Sequence, residues 1–123
     1  MEFLNYEKRL DTTDIDYIIE RFEKGEIEDG ERVRLKGTIH RIREMSGFAF
    51  VIIRTRRKLF QCVWEEEKTS LSVDDFRDFS VEECVIVDGN IIFEERSRLG
   101  FDIRIDTMQR ISGKAEVPPV EIS

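Results

Sequence analysis

The stretch that most constrains the fold is Phe48–Arg54, FAFVIIR, because every residue before Arg54 is apolar. Its β-branched and aromatic residues predict a β-strand. Alternate side chains of a strand point to opposite faces, so one apolar face can pack into a core. The other apolar, aromatic face must then be covered by protein or kept for a ligand.

Positive charge is concentrated around this strand, although the net charge of the whole chain is −7. Residues 32–58 hold nine Arg or Lys and a single acid, Glu44, which gives this part +8 and leaves −15 for the rest. A local field of this kind governs docking more than the overall charge does. A solvated sheet face is the alternative interpretation. We favour nucleic-acid binding, because the positive residues extend over three consecutive predicted strands.

Two further strands are predicted on either side, at residues 31–43 and 59–64. Gly37 lies inside the first, where a glycine predicts a bulge or a sharp bend. A long first strand with such a bend can take part in both halves of a small barrel. Gln61 interrupts the apolar run of the other strand. Because an unpaired buried amide is costly, Gln61 either faces outward or hydrogen-bonds a ligand.

Two helices are predicted, one long and one short. Asp14–Lys24 has apolar residues at the spacing of one helix face, with Thr12 or Thr13 as the N-cap. We expect its apolar stripe to dock on the rest of the domain, and binding to a partner is the alternative. The short helix Val73–Phe79 follows a capping box that begins at Ser72.

The last two strands are predicted at Cys84–Glu94 and Phe101–Ile111, joined by the hairpin loop Arg96–Gly100. In the final strand Asp102 falls on the polar side of the alternation. Three strands, a short helix and two more strands is the order of the OB-fold, a five-stranded Greek-key barrel. The predicted fold is therefore an all-β OB-fold barrel with an extra N-terminal helix. Oligonucleotides bind the strand 2–3 face of such barrels, where the basic and aromatic stretch falls.

Three segments follow from this organisation. We expect an N-terminal helical extension at 1–30, the OB-fold nucleic-acid-binding domain at 31–113 and a linker at 114–123.

Several function classes are disfavoured by the residues present. Cys62 and Cys84 are isolated and predicted to be buried thiols, and His40 is predicted to be an outward strand residue. We therefore expect no metal or cofactor site, and no catalytic centre, in this chain. No apolar run reaches the roughly 18 residues of a membrane span, and the N-terminus has no signal-peptide pattern. We expect a cytoplasmic protein with no membrane partner.

Residues 41–64, RIREMSGFAFVIIRTRRKLFQCVW, show an Arg-rich strand, a Gly turn, an aromatic strand ending in Arg, and a charged turn leading to a Gln-bearing strand. This pattern resembles the N-terminal anticodon-binding OB domain of class II aspartate–tRNA ligases, which asparagine– and lysine–tRNA ligases share. The tail AEVPP at 115–119 resembles that domain's exit toward the hinge. The resemblance covers about 33–122.

The resemblance also implies roles for individual residues. Phe50 corresponds to the aromatic that stacks on an anticodon base, and Gln61 to the glutamine that pairs with the middle uridine. Arg43 would contact the anticodon backbone or its first base, and Phe48 would extend the stacking surface. The weaker matches, implied as phosphate contacts, are Arg41, Arg54 and Arg56.

The implied partners are the anticodon loop of a tRNA and a catalytic domain joined after Pro119, which would itself require ATP and magnesium. Dimers are usual for the family. Arg43-Glu44 stands where the family usually has Arg-Asp, so the amino acid charged by a parent enzyme is left open. Two alternatives remain: a free-standing general binder of single-stranded nucleic acid, which would not need Gln61, and an OB-type protein-interaction domain.

Overall fold

The computed structural model describes residues 11–111. Each predicted helix and strand is confirmed, and the ends differ from the prediction by at most two residues. The predictions for 1–10 and for the linker at 114–123 lie outside the described residues. A turn of 3-10 helix at Glu66–Lys68 was not predicted. The elements are α1 (Ile15–Glu23), β1 (Arg32–Glu44), β2 (Phe48–Arg54), β3 (Leu59–Glu65), α2 (Val73–Arg77), β4 (Cys84–Phe93) and β5 (Phe101–Arg110).

The five strands form a closed barrel in the order β1-β2-β3-β5-β4, which confirms the predicted OB-fold class. Strand β1 is shared between both halves: residues 32–38 pair with β4, and residues 38–44 pair with β2. Of the two predictions for Gly37, the bulge is wrong in position, because the register of β1 shifts at His40, and the sharp bend stays a prediction. Gly37 serves close packing instead, since a Cβ there would collide with the Ile53 side chain and lie 2.9 Å from the Arg54 carbonyl oxygen.

Barrel closure depends on a short seam between β3 and β5. This pairing is parallel and joins only Cys62 to Ile103 and Val63 to Arg104, whereas the other four strand pairs are antiparallel. The consequence is that side chains at the start of β5 lie beside β3.

The two helices cover opposite ends of the barrel. Phe76 of α2 stacks on the buried Trp64 at the end of β3, with ring centroids 4.7 Å apart. Phe22 of α1 packs against Phe101 at the start of β5, at 5.0 Å. Burial of Ile18 confirms that α1 docks on the barrel through its apolar stripe.

The cap of α1 differs from the prediction. Asp14 is the N-cap, and its carboxylate accepts a hydrogen bond from the backbone N–H of Asp16 at 2.9 Å. Thr12 and Thr13 do not cap the helix, because it begins at Ile15 directly after Asp14. The backbone N–H of Thr13 donates instead to the Arg34 carbonyl oxygen. Neither helix within residues 11–111 has the length and apolar composition to cross a lipid bilayer.

The two cysteines have different environments. Cys62 points into the barrel, as predicted, and burial raises the pKa of its thiol. The prediction of a buried thiol is wrong for Cys84, which is exposed. Cys84 begins β4 opposite Thr38, and its sulfur lies 3.5 Å from the Thr38 hydroxyl on the outer surface.

Candidate nucleic-acid interface

The outer face of β1, β2 and β3 brings several predicted site residues together. Arg43 lies opposite Phe50, and Ile52 lies between Arg41 on β1 and Gln61 on β3. These five residues line one cleft of about 390 Å³. Residues that lie up to 20 positions apart in the sequence thus form a single surface.

Aromatic rings occupy the same face. Strand alternation buries Ala49, Val51 and Ile53 and turns Phe48 and Phe50 outward, as the apolar run predicted. Phe48 is 36% exposed and meets Phe50 edge to face, with centroids 5.6 Å apart. The pair forms a ridge on which a flat ring can stack.

The basic residues of the 32–58 stretch divide into two groups. One group is held in ion pairs: Arg54, for example, pairs with Glu82 at 2.9 Å and lies 3.1 Å from His40 Nδ1. The hydrogen bond from Arg54 lowers the pKa of the Glu82 carboxyl. The others in this group are Arg32, Arg34 and Lys58.

The second group has no ion pair within residues 11–111, so its charge is available to a ligand. Arg41 and Arg43 belong to it and line the first cleft. The predicted site residue Arg56 also belongs to it and lies in the β2–β3 turn. Together with Arg57 and Arg98 it lines another cleft of about 510 Å³.

The β4–β5 hairpin loop is a part of the site that the sequence prediction did not include. Arg96, Ser97 and Arg98 line a third cleft of about 370 Å³, which also contains Arg41 and Gln61. The loop reaches this position because β5 lies next to β3 in the closed barrel. The sequence feature that could have indicated this loop is its pair of arginines, within the five residues RSRLG.

Gln61 sits between the first and third clefts and is hydrogen-bonded inside the protein. Its Nε2 donates to Asp102 Oδ1 at 3.2 Å, and the Ser97 hydroxyl donates to the same oxygen. Asp102 lies beside Gln61, on the polar side of the alternation, yet it is only 6% exposed, which the sequence did not predict. Burial raises the pKa of Asp102, and the hydrogen bonds from Ser97 and Gln61 act in the opposite direction.

The side chains of this surface are suited to binding a ligand. Among residues 11–111, no three His, Cys, Asp or Glu side chains are grouped to hold a metal ion. Cations that track phosphates, aromatic faces that stack bases and an amide that reads a base edge are the components of a single-strand nucleic-acid site.

A closed five-stranded barrel with this face is an OB-fold of the nucleic-acid-binding class. Residues 33–111 match the tRNA anti-codon family, an OB-fold nucleic acid binding domain, and the chain belongs to that family.

Known relatives include two tRNA ligases. The aspartate–tRNA(Asp/Asn) ligase of Methanococcus vannielii is 31% identical over 91 residues, which are 73% of this chain and 20% of that protein. The asparagine–tRNA ligase of Thermococcus gammatolerans is 28% identical over 83 residues, 68% of this chain and 19% of that protein. The chain therefore spans about a fifth of the length of these relatives.

Solved structures share the fold. The asparaginyl-tRNA synthetase from Pyrococcus horikoshii superposes with a TM-score of 0.61 and 24% identity, over 71% of this chain and 22% of that one.

Proposed function

We propose that this domain binds the anticodon loop of a tRNA on the outer face of β1, β2 and β3. The observation that carries the proposal is the single cleft that combines Arg41, Arg43, Phe50 and Gln61. Relatives named as aspartate– and asparagine–tRNA ligases support it.

In this proposal the loop unstacks its bases onto the face. Phe50 stacks on one base, with Phe48 at its edge, and such stacking contributes about 1–3 kcal/mol per base. Gln61 offers both a donor and an acceptor to the middle uridine. The unpaired arginines hold the phosphates, so affinity falls as salt rises. Arg54 is the weakest of the proposed contacts, because Glu82 already neutralises it.

The same relatives support a wider assignment. We propose that the domain serves an aspartate- or asparagine-type ligase in the cytoplasm, with the anticodon as its specificity element. In that setting a catalytic domain that uses ATP and magnesium is the further partner, and a homodimer is the expected assembly. The tRNA would be oriented by the anticodon face so that its acceptor end reaches that domain.

The test is binding of anticodon stem-loops with a central U or a central A to the wild-type protein, Gln61→Ala and Gln109→Ala. Gln109 is an exposed glutamine on β5 and provides the matched control. We expect preference for the central U in the wild type and in Gln109→Ala, and loss of that preference in Gln61→Ala. Equal affinities throughout would contradict anticodon reading and leave a general single-strand binder. Absence of salt-dependent binding would favour a protein-interaction domain.

A further inference from the structure

The amide of Gln61 can adopt two orientations that exchange its oxygen and nitrogen, and its neighbours decide between them. Asp102 Oδ1 lies 3.2 Å from Gln61 Nε2. An ionised carboxylate only accepts hydrogen bonds, so it admits the N–H side of the amide and repels the oxygen side. The geometry therefore leaves Gln61 Oε1 and one remaining N–H for a ligand.

Asp102 is itself held in place. The Ser97 hydroxyl donates to the oxygen that Gln61 contacts, and the side chain is 6% exposed. Within residues 11–111 no Lys or Arg forms an ion pair with this carboxylate. Burial of a carboxylate without a cation costs stability, and the raised pKa of Asp102 has the same cause.

The pyrimidines differ at the edge that an amide reads. Uracil presents an N3–H donor beside carbonyl acceptors, whereas cytosine presents an N3 acceptor beside an amino donor. An amide that is free to flip can satisfy both edges at one base position. An amide with a fixed oxygen satisfies only one of them.

We propose that Asp102, positioned by Ser97, fixes the amide of Gln61 and thereby makes this site select uracil over cytosine. This inference depends on the proposed anticodon-binding function. Asp102 acts as a positioning residue, because it touches Gln61 and not the base. Ser97 belongs to the β4–β5 hairpin loop. The position of that loop therefore also affects which base Gln61 of β3 binds.

The experiment compares stem-loops that differ only in a central U or C, bound to the wild type, Asp102→Asn, Ser97→Ala and the control Asp106→Asn. Asp106 is on the same strand, but its carboxylate pairs with Arg32 at 2.8 Å, away from Gln61. We expect the ratio of affinities for U over C to fall several-fold in Asp102→Asn and less in Ser97→Ala. The salt slope should not change, and Asp106→Asn should keep the wild-type ratio. An unchanged ratio in a folded Asp102→Asn protein overturns the inference.

A second measurement does not require RNA. In the free protein, the side-chain NH₂ resonances of Gln61 should move in Ser97→Ala and should not move in Asp106→Asn. Unmoved resonances in Ser97→Ala overturn the inference even if Asp102→Asn fails to fold. If the resonances move but the wild type shows no preference for U, the contact between Gln61 and Asp102 is supported. The proposed anticodon binding is then contradicted instead.

Discussion

We expect that removing the charges of Arg41 and Arg43 reduces the salt dependence of RNA binding, because both residues line the proposed binding face without an ion pair inside residues 11–111. Each phosphate contact contributes about 0.7 to the slope of log affinity against log salt for single strands. The unpaired cations that line the three clefts are Arg41, Arg43, Arg56, Arg57 and Arg98.

The number of unpaired arginines sets the size of the expected change in salt dependence. One phosphate contact for each of these five arginines would give a slope of about −3.5, so affinity would fall roughly 100-fold between about 50 and 200 mM salt. The double variant Arg41→Gln/Arg43→Gln keeps three contacts, which gives a slope of about −2.1 and a fall of roughly 20-fold. The loss is therefore large at low salt and smaller at high salt.

Fluorescence anisotropy of a labelled anticodon stem-loop across this salt range measures both slopes. The control is Arg32→Gln/Arg110→Gln, which removes the same charge from exposed arginines that are already paired. Arg32 contacts Asp106 at 2.8 Å and Arg110 contacts Glu83 at 2.6 Å. The control should keep the wild-type slope. If both double variants lowered the slope equally, net charge rather than position on the face would govern binding.

Three further outcomes are expected. Phe50→Ala should weaken stem-loop binding by about 1–3 kcal/mol in a titration, with the fold intact by circular dichroism. Gly89→Ala should lower stability by about 1–3 kcal/mol in thermal unfolding, because a Cβ there collides with the Arg104 carbonyl oxygen, and an unchanged Tm would contradict this. The hydrogen bond from Arg32 lowers the pKa of Asp106 in the folded protein. The Arg32–Asp106 interaction therefore adds to the free energy of unfolding above the unfolded pKa of Asp, and this contribution is lost as pH falls below about 4. The free energies of urea unfolding of wild type and Arg32→Gln should accordingly differ less at low pH.

Much of the fold could be predicted because local patterns agree with it. The strand Phe48–Arg54 was predicted with its observed bounds, since its composition and flanking turns point to one structure. Strand alternation separated the aromatic face of β2 from its core face. The roles of Phe50 and Gln61 came from the family resemblance. Local alternation, together with the charge distribution, was sufficient to find the face.

What could not be predicted depends on contacts between distant parts of the chain. Asp102 alternates with apolar residues as an exposed strand residue does, and only closure of β3 against β5 places the hairpin loop over it. The pairing of Arg54 with Glu82 likewise depends on the topology, because 28 positions separate the two residues. In β1, Gly37 suggested a bulge, but the register of the strand shifts at His40. Gly37 instead allows β1 to approach Ile53 and the backbone of Arg54 closely.

The two-position seam between β3 and β5 has a dynamic consequence. Opening fluctuations of a barrel begin where the fewest backbone hydrogen bonds must break, and here that is the junction of Cys62 with Ile103. A ligand that lies across Gln61 and the hairpin loop, as proposed, would touch both sides of this junction and bind its closed form more tightly. Mass action then stabilises closure. Amide hydrogen exchange along the seam should slow when RNA is bound, while exchange in the longer β1–β4 pairing should stay the same. In the proposed complex the RNA would therefore hold the two sides of the seam together.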